Sequence, residues 1–126
     1  MPIVRDGEAA NSRLASVPAL VREMSVGERR PLIGTRAMRV ILLRWPPGFR
    51  SVPHVHPTAD EAFLVQEGQA IFRMGSDDEV LALPGALLFS PRGESHAIEV
   101  VGSEPLVLLS FVSPNEQEVD LPAAGV

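Results

Sequence analysis

Short apolar runs, each closed by glycine or proline, set the rhythm of this chain. Arg36 to Trp45 is the longest, rich in β-branched and large apolar residues, and it stops at Pro46-Pro47-Gly48. Met38, Val40 and Leu42 fall on one face, and Ala37, Ile41, Leu43 and Trp45 on the other. With both faces apolar, the strand is predicted to be buried on both sides, or to meet a partner on one. Phe63–Gln66 and Ala70–Met74 flank Glu67-Gly68-Gln69, a hairpin signal. A turn at Gly75-Ser76-Asp77-Asp78 leads to a strand over Glu79–Leu83. Pro84-Gly85 has the type II turn signature, since proline presets one φ and glycine supplies the positive one. Leu87–Ser90, Ser95–Val101 and Leu106–Val112 read as further strands, separated by Pro91-Arg92-Gly93 and Gly102-Ser103-Glu104-Pro105.

The N-terminal part is less patterned. Ile3-Val4 is expected as a short edge strand, Val21–Val26 as a strand and Gly27–Pro31 as a turn. Residues 1–20 are expected to form an arm that lies over the outside of the domain or pairs with a second subunit. The segment 113–126 is expected to be a polar, partly loose tail. Roughly eight to ten short strands and no helix beyond a turn or two give an all-β fold. The predicted architecture is an antiparallel double-sheet barrel of the jelly-roll type, a double-stranded β-helix. No internal repeat or linker divides the 126 residues, so one domain spans 1–126.

Composition narrows the partners. The net charge is −5 and no Lys/Arg cluster exceeds Arg29-Arg30, which argues against a nucleic-acid partner. No apolar run is long enough for a membrane helix, and Asp6 and Glu8 make the N-terminus unlike a secretory signal. Cysteine is absent, which excludes disulfides, thiolate catalysis and Cys-type zinc sites and fits a cytoplasmic location. Tyrosine is absent too.

The candidate chemistry lies in Gly48–Gly68. His54 and His56 are two apart, so on a strand both imidazoles face one way. Glu61 follows after enough chain to turn a corner and begin a new strand. Two imidazoles and a carboxylate converging from adjacent strands is a divalent-metal arrangement. The chain holds three histidines, and the third, His96, closes a second patterned stretch.

These residues resemble the cupin superfamily. Its first motif, Gly-x5-His-x-His-x4-Glu-x6-Gly, is filled by Gly48, His54, His56, Glu61 and Gly68. Its second, Gly-x5-Pro-x-Gly-x2-His-x3-Asn, is filled over 85–100 by Gly85, Pro91, Gly93 and His96, with Val100 where Asn is usual. The resemblance implies that His54, His56, Glu61 and His96 hold one divalent metal inside the barrel. Three imidazoles and a carboxylate suit Fe, Mn, Ni, Zn or Cu better than Mg or Ca. Four ligands on an octahedral ion leave positions open for substrate, which is catalytic in style.

Two functions follow as expectations. The first is a metal-dependent oxygenase-type oxidoreductase acting on a small organic molecule, with Glu61 also serving as base; flavonol dioxygenases are similar in ligand set. The second is a non-catalytic small-molecule binding or sensor cupin. Sugar epimerases of this superfamily use a tyrosine, and its thiol dioxygenases use three histidines without the carboxylate, so neither fits. No segment offers a helix-turn-helix for a DNA-binding regulator. The resemblance also implies a homodimer, with residues 1–20 contributing to self-association.

Several single residues have plainer readings. Arg39 and Arg44 lie on different faces of the first long strand and are expected at the surface, with the alternative that one reaches a ligand's carboxylate inside the barrel. Arg50 and Arg92 are expected near the barrel mouth with the same two readings. Phe49, Phe63, Phe72, Phe89 and Phe111 are expected in the core, with one or two lining a pocket. Asp60 is expected as an exposed loop carboxylate, or as a partner that orients a ligand histidine.

Overall fold

The computed structural model describes residues 9–116 and the backbone of 119–120. Ile3-Val4, the first part of the expected arm and most of the expected tail lie outside these residues. Among the described residues ten strands form two five-stranded antiparallel sheets. The strands are β1 Arg29–Gly34, β2 Arg39–Trp45, β3 His54–Val55, β4 Asp60–Glu67 and β5 Gln69–Met74. They continue with β6 Asp78–Ala82, β7 Leu87–Ser90, β8 Ser95–Val101, β9 Leu106–Ser113 and β10 Val119–Asp120. One sheet has the order β1-β2-β9-β4-β7 and the other β10-β3-β8-β5-β6. This is the double-stranded β-helix expected from the turn spacing.

The interior is apolar because alternate residues of both sheets point at one another. Phe63, Val65, Phe72, Ile98, Leu106 and Leu108 form its centre. A second core lies outside the barrel, on the far faces of β2 and β9. There Val40, Leu42, Val107 and Leu109 are covered by Val21 and Met24.

Val21 and Met24 belong to a helix, α1 Val17–Glu23 and its C-cap, not to the expected strand. Val17, Val21 and Met24 recur at helical spacing, giving one apolar stripe. Pro18 sits in the first turn, where its missing N–H costs nothing. The apolar outer face of β2 is therefore buried within the chain, so it does not call for a partner subunit.

The expected turn at Gly27–Pro31 is also corrected. β1 begins at Arg29 and pairs with β2, and its register shifts between Pro31 and Ile33. As an edge strand it tolerates Pro31, which cannot donate to a ladder. The chain reverses at Thr35, whose Oγ1 accepts from the N–H groups of Ala37 and Met38. That is why β2 starts at Arg39 rather than Arg36. Phe63 and Phe72 are core residues as expected, whereas Phe89 is 60% exposed on the outward face of edge strand β7. No helix among the described residues is long and apolar enough to cross a membrane.

Candidate metal centre

Strand register brings the four candidate residues to one tier of the barrel. In the first sheet Glu61 of β4 stands opposite Ser90 of β7 and Val112 of β9, and Arg39 of β2 also stands opposite Val112. Residues directly opposite share a face, so Arg39, Val112, Glu61 and Ser90 form one inward row. In the second sheet His54 of β3 stands opposite His96 of β8. His56 follows β3 directly and is buried. The backbone N–H of Gly93 donates to the carbonyl of His56 at 2.8 Å, which fixes the second motif against the first.

The metal-ligating atoms of His54, His56, Glu61 and His96 all lie within 4.8 Å of one another. Glu61 Oε1 is 2.9 Å from His56 Nε2 and 3.0 Å from His96 Nε2. Neither Glu61 Oε1 nor His96 Nε2 makes an aligned hydrogen bond, although both are buried. Two ligands at right angles, each about 2.1 Å from an ion, would lie about 3.0 Å apart. The observed spacing fits that arrangement, and the cluster could hold a metal ion.

The rear of His54, His96 and Glu61 is held. His54 Nδ1 is 2.7 Å from the carbonyl oxygen of Val52. A carbonyl only accepts, so the proton sits on Nδ1 and Nε2 keeps its lone pair. His96 Nδ1 lies 3.0 Å from the Ser90 hydroxyl. Ser110 Oγ donates to Glu61 Oε2 at 2.5 Å. Burial pushes the Glu61 carboxyl up, but contacts from His56, His96 and Ser110 outweigh it and hold it down to about 2. Glu61 is thus an ionised ligand at neutral pH despite its burial.

Ser90 and Ser110 carried no signal in the sequence, since their partners lie on other strands. Arg39 did carry one. It shares parity with Ile41, Leu43 and Trp45 and so points inward with them. It is 8% exposed, contrary to the surface position expected. Arg44, of opposite parity, donates from Nη1 to the Met24 carbonyl at 2.6 Å and ties β2 to α1. Arg50 is exposed and pairs with Glu99 at 3.2 Å. Asp60 orients no histidine; it accepts from the backbone N–H of Arg92 at 2.9 Å and from its guanidinium.

A cavity of about 560 Å3 opens beside the cluster. His54, Glu61 and Ser110 stand at one end, and Trp45 and Phe49 at the other, with ring centroids 4.6 Å apart.

The family model of the cupin domain matches residues 41–112, more than half the chain. The chain belongs to the cupin family. Val100, which replaces the usual Asn of the second motif, is buried in β8. Its N–H donates to the carbonyl of Phe49 and its carbonyl accepts from Gly48, well away from the cluster. No curated protein sequence matches this cupin. Among solved structures, an uncharacterised conserved protein with a double-stranded β-helix domain from Klebsiella pneumoniae is 27% identical, with a TM-score of 0.74. The match covers 87% of this cupin and 99% of that chain. TT1209 from Thermus thermophilus is 25% identical over 83% of this chain and 100% of its own, with a TM-score of 0.74. A structure of oxalate oxidase is 21% identical over 75% of this chain and 55% of that one, with a TM-score of 0.67, which shows the shared fold.

Proposed function

We propose that this cupin is an oxygenase-type oxidoreductase that acts on a small organic molecule at one divalent transition metal held by His54, His56, Glu61 and His96. The observation that carries the reading is the convergence of the ligating atoms of His54, His56, Glu61 and His96 within 4.8 Å of one another, with Glu61 Oε1 at 2.9 and 3.0 Å from two imidazole nitrogens. When bound, the ion supplies Lewis-acid activation of a substrate oxygen, with open positions for a co-reactant. The protein's own part is positional. Val52 and Ser90 fix the orientation of His54 and His96, and Ser110 anchors one oxygen of Glu61 so that the other faces the cluster. Glu61 lines the cavity, and its Oε1, not engaged by Ser110, is the oxygen that would act as base if a substrate proton comes within reach.

A second reading, a metal-containing cupin that binds a metabolite without turnover, draws on the cavity lining. Among the described residues its one carboxylate is Glu61, already part of the cluster, and tyrosine and cysteine are absent from the sequence. Metal analysis followed by oxygen uptake separates the two. Uptake with an enol, diketone or flavonol after restoring Fe, Mn or Ni supports the enzyme. Tight metabolite binding without uptake supports the binding module. The reading includes a cytoplasmic homodimer, checked by light scattering of the full chain.

A further inference from the structure

The cavity beside the cluster is lined along one side by the inward face of β2, which runs from Arg39 to Trp45. We propose that it takes an amphipathic carboxylate, with the anionic head at Arg39 and the cluster and a flat apolar body lying along β2 toward Trp45 and Phe49. The proposal deepens the metal-centre reading and rests on it only for the final position of the head group.

The gradient is written in one strand face. Arg39, Ile41, Leu43 and Trp45 alternate with outward residues and all line the cavity. At about 3.3 Å per residue, this face runs roughly 20 Å from cation to indole. Phe63 extends the aliphatic middle along the same sheet, and Ile98 lines the cavity from the other sheet. Ser110, opposite Ile41 and Phe63, and Arg29, opposite Leu43, are the polar side chains beside that stretch, and Ser110 is already bonded to Glu61, so a polyol would lose most of its water contacts there. Flat apolar bodies lose nothing and gain aromatic contact against Trp45 and Phe49.

Charge selects the head group. The chain's net charge is −5, yet Arg29, Arg39 and Arg50 all line this cavity. Arg50 pairs with Glu99, Arg29 stands opposite Leu43, and Arg39 is the arginine in the row of Glu61, the one carboxylate among the described lining residues. A divalent ion at the cluster would add to the positive side. Arg39 stands in the same cross-strand row as Glu61, two strands away, so a head group near the cluster is also near Arg39. Arg39 interacts within the protein as well, but its five N–H donors leave capacity for a ligand. A buried guanidinium and a carboxylate form charge-assisted, paired hydrogen bonds in little water.

The test uses the full chain, stripped with EDTA and again loaded with zinc as a redox-silent probe. Calorimetry reads binding directly, and the fluorescence of Trp45, the one tryptophan of the sequence, is a second readout. Cinnamate, its neutral isostere cinnamamide and the anionic sugar glucuronate are titrated in both forms. Cinnamate is expected to bind at least about tenfold tighter than cinnamamide, and glucuronate no better than acetate. Arg39→Gln should abolish the preference for cinnamate over the amide, while Arg39→Lys keeps part of it. Equal binding of acid and amide by the wild type, or a preference for glucuronate, would overturn the proposal without any variant. If the protein takes up no metal, the metal reading fails, and the acid–amide comparison in the stripped form still decides this one.

Discussion

Ser110 Oγ on β9 donates a 2.5 Å hydrogen bond to Glu61 Oε2 on β4, inside the barrel and across the sheet. It turns a buried carboxylate that would otherwise rotate into one with a fixed free oxygen. Ser110→Ala should leave Oε2 buried and unsatisfied. We expect about 1–3 kcal/mol of lost stability and a metal affinity reduced roughly 10- to 100-fold. Urea unfolding and chelator competition measure the two effects, and an unchanged affinity would show that Ser110 does not orient the ligand.

Glu61 also makes a pH prediction for the metal-stripped protein. Its carboxyl lies at about 2 when folded, below the ordinary 4.5. A carboxyl lowered by folding contributes stability that is complete above about 4.5 and is lost as pH falls toward about 2. Glu61→Gln removes this term, so its stability should fall less steeply than that of the wild type across that window. Parallel acid limbs in urea unfolding would mean that the carboxylate does not gain its partners on folding.

Gly68 ends the first motif and is irreplaceable for two reasons. Its φ is +79°, and a Cβ there would sit 2.3 Å from the carbonyl oxygen of Pro105. Gly85 has φ +92° with open space around it. Gly68→Ala should cost roughly 2–4 kcal/mol and Gly85→Ala about 1 kcal/mol. Equal losses in chemical unfolding would rule out the close backbone approach as the cause.

The outer core predicts that the segment before β1 is structural. Met24 is 3% exposed against β2 and β9, whereas Leu14 is 86% exposed. Met24→Ala should cost about 2–4 kcal/mol and Leu14→Ala less than about 0.5 kcal/mol. Thermal unfolding of the pair checks this, and a silent Met24→Ala would mean that α1 is not docked on the barrel.

Much of this was legible where glycine and proline punctuate the chain. β7 and β8 fall between Pro84-Gly85, Pro91-Arg92-Gly93 and Gly102, and their limits match the sequence reading. β1 was hidden because Arg29-Arg30-Pro31 has turn composition, yet an edge strand accepts both charge and proline. α1 was hidden because Pro18 reads as a breaker until it is placed in a first turn. His54, His56, Glu61 and His96 were legible as a motif, but Ser90 and Ser110 meet their partners only through register. Arg39 was misplaced because charge outweighed parity in the reading; its alternation with Ile41 and Leu43 pointed inward.

Metal stoichiometry tests the central claim most directly. Purified protein, reconstituted in turn with Fe, Mn, Ni, Zn and Cu and then freed of unbound ion, is analysed by elemental mass spectrometry. Our account expects about one ion per chain for at least one of these metals, and loss of that ion in both His56→Ala and Glu61→Ala with the fold intact by circular dichroism. A wild type that retains none of the five, or variants that keep a full complement, would contradict it.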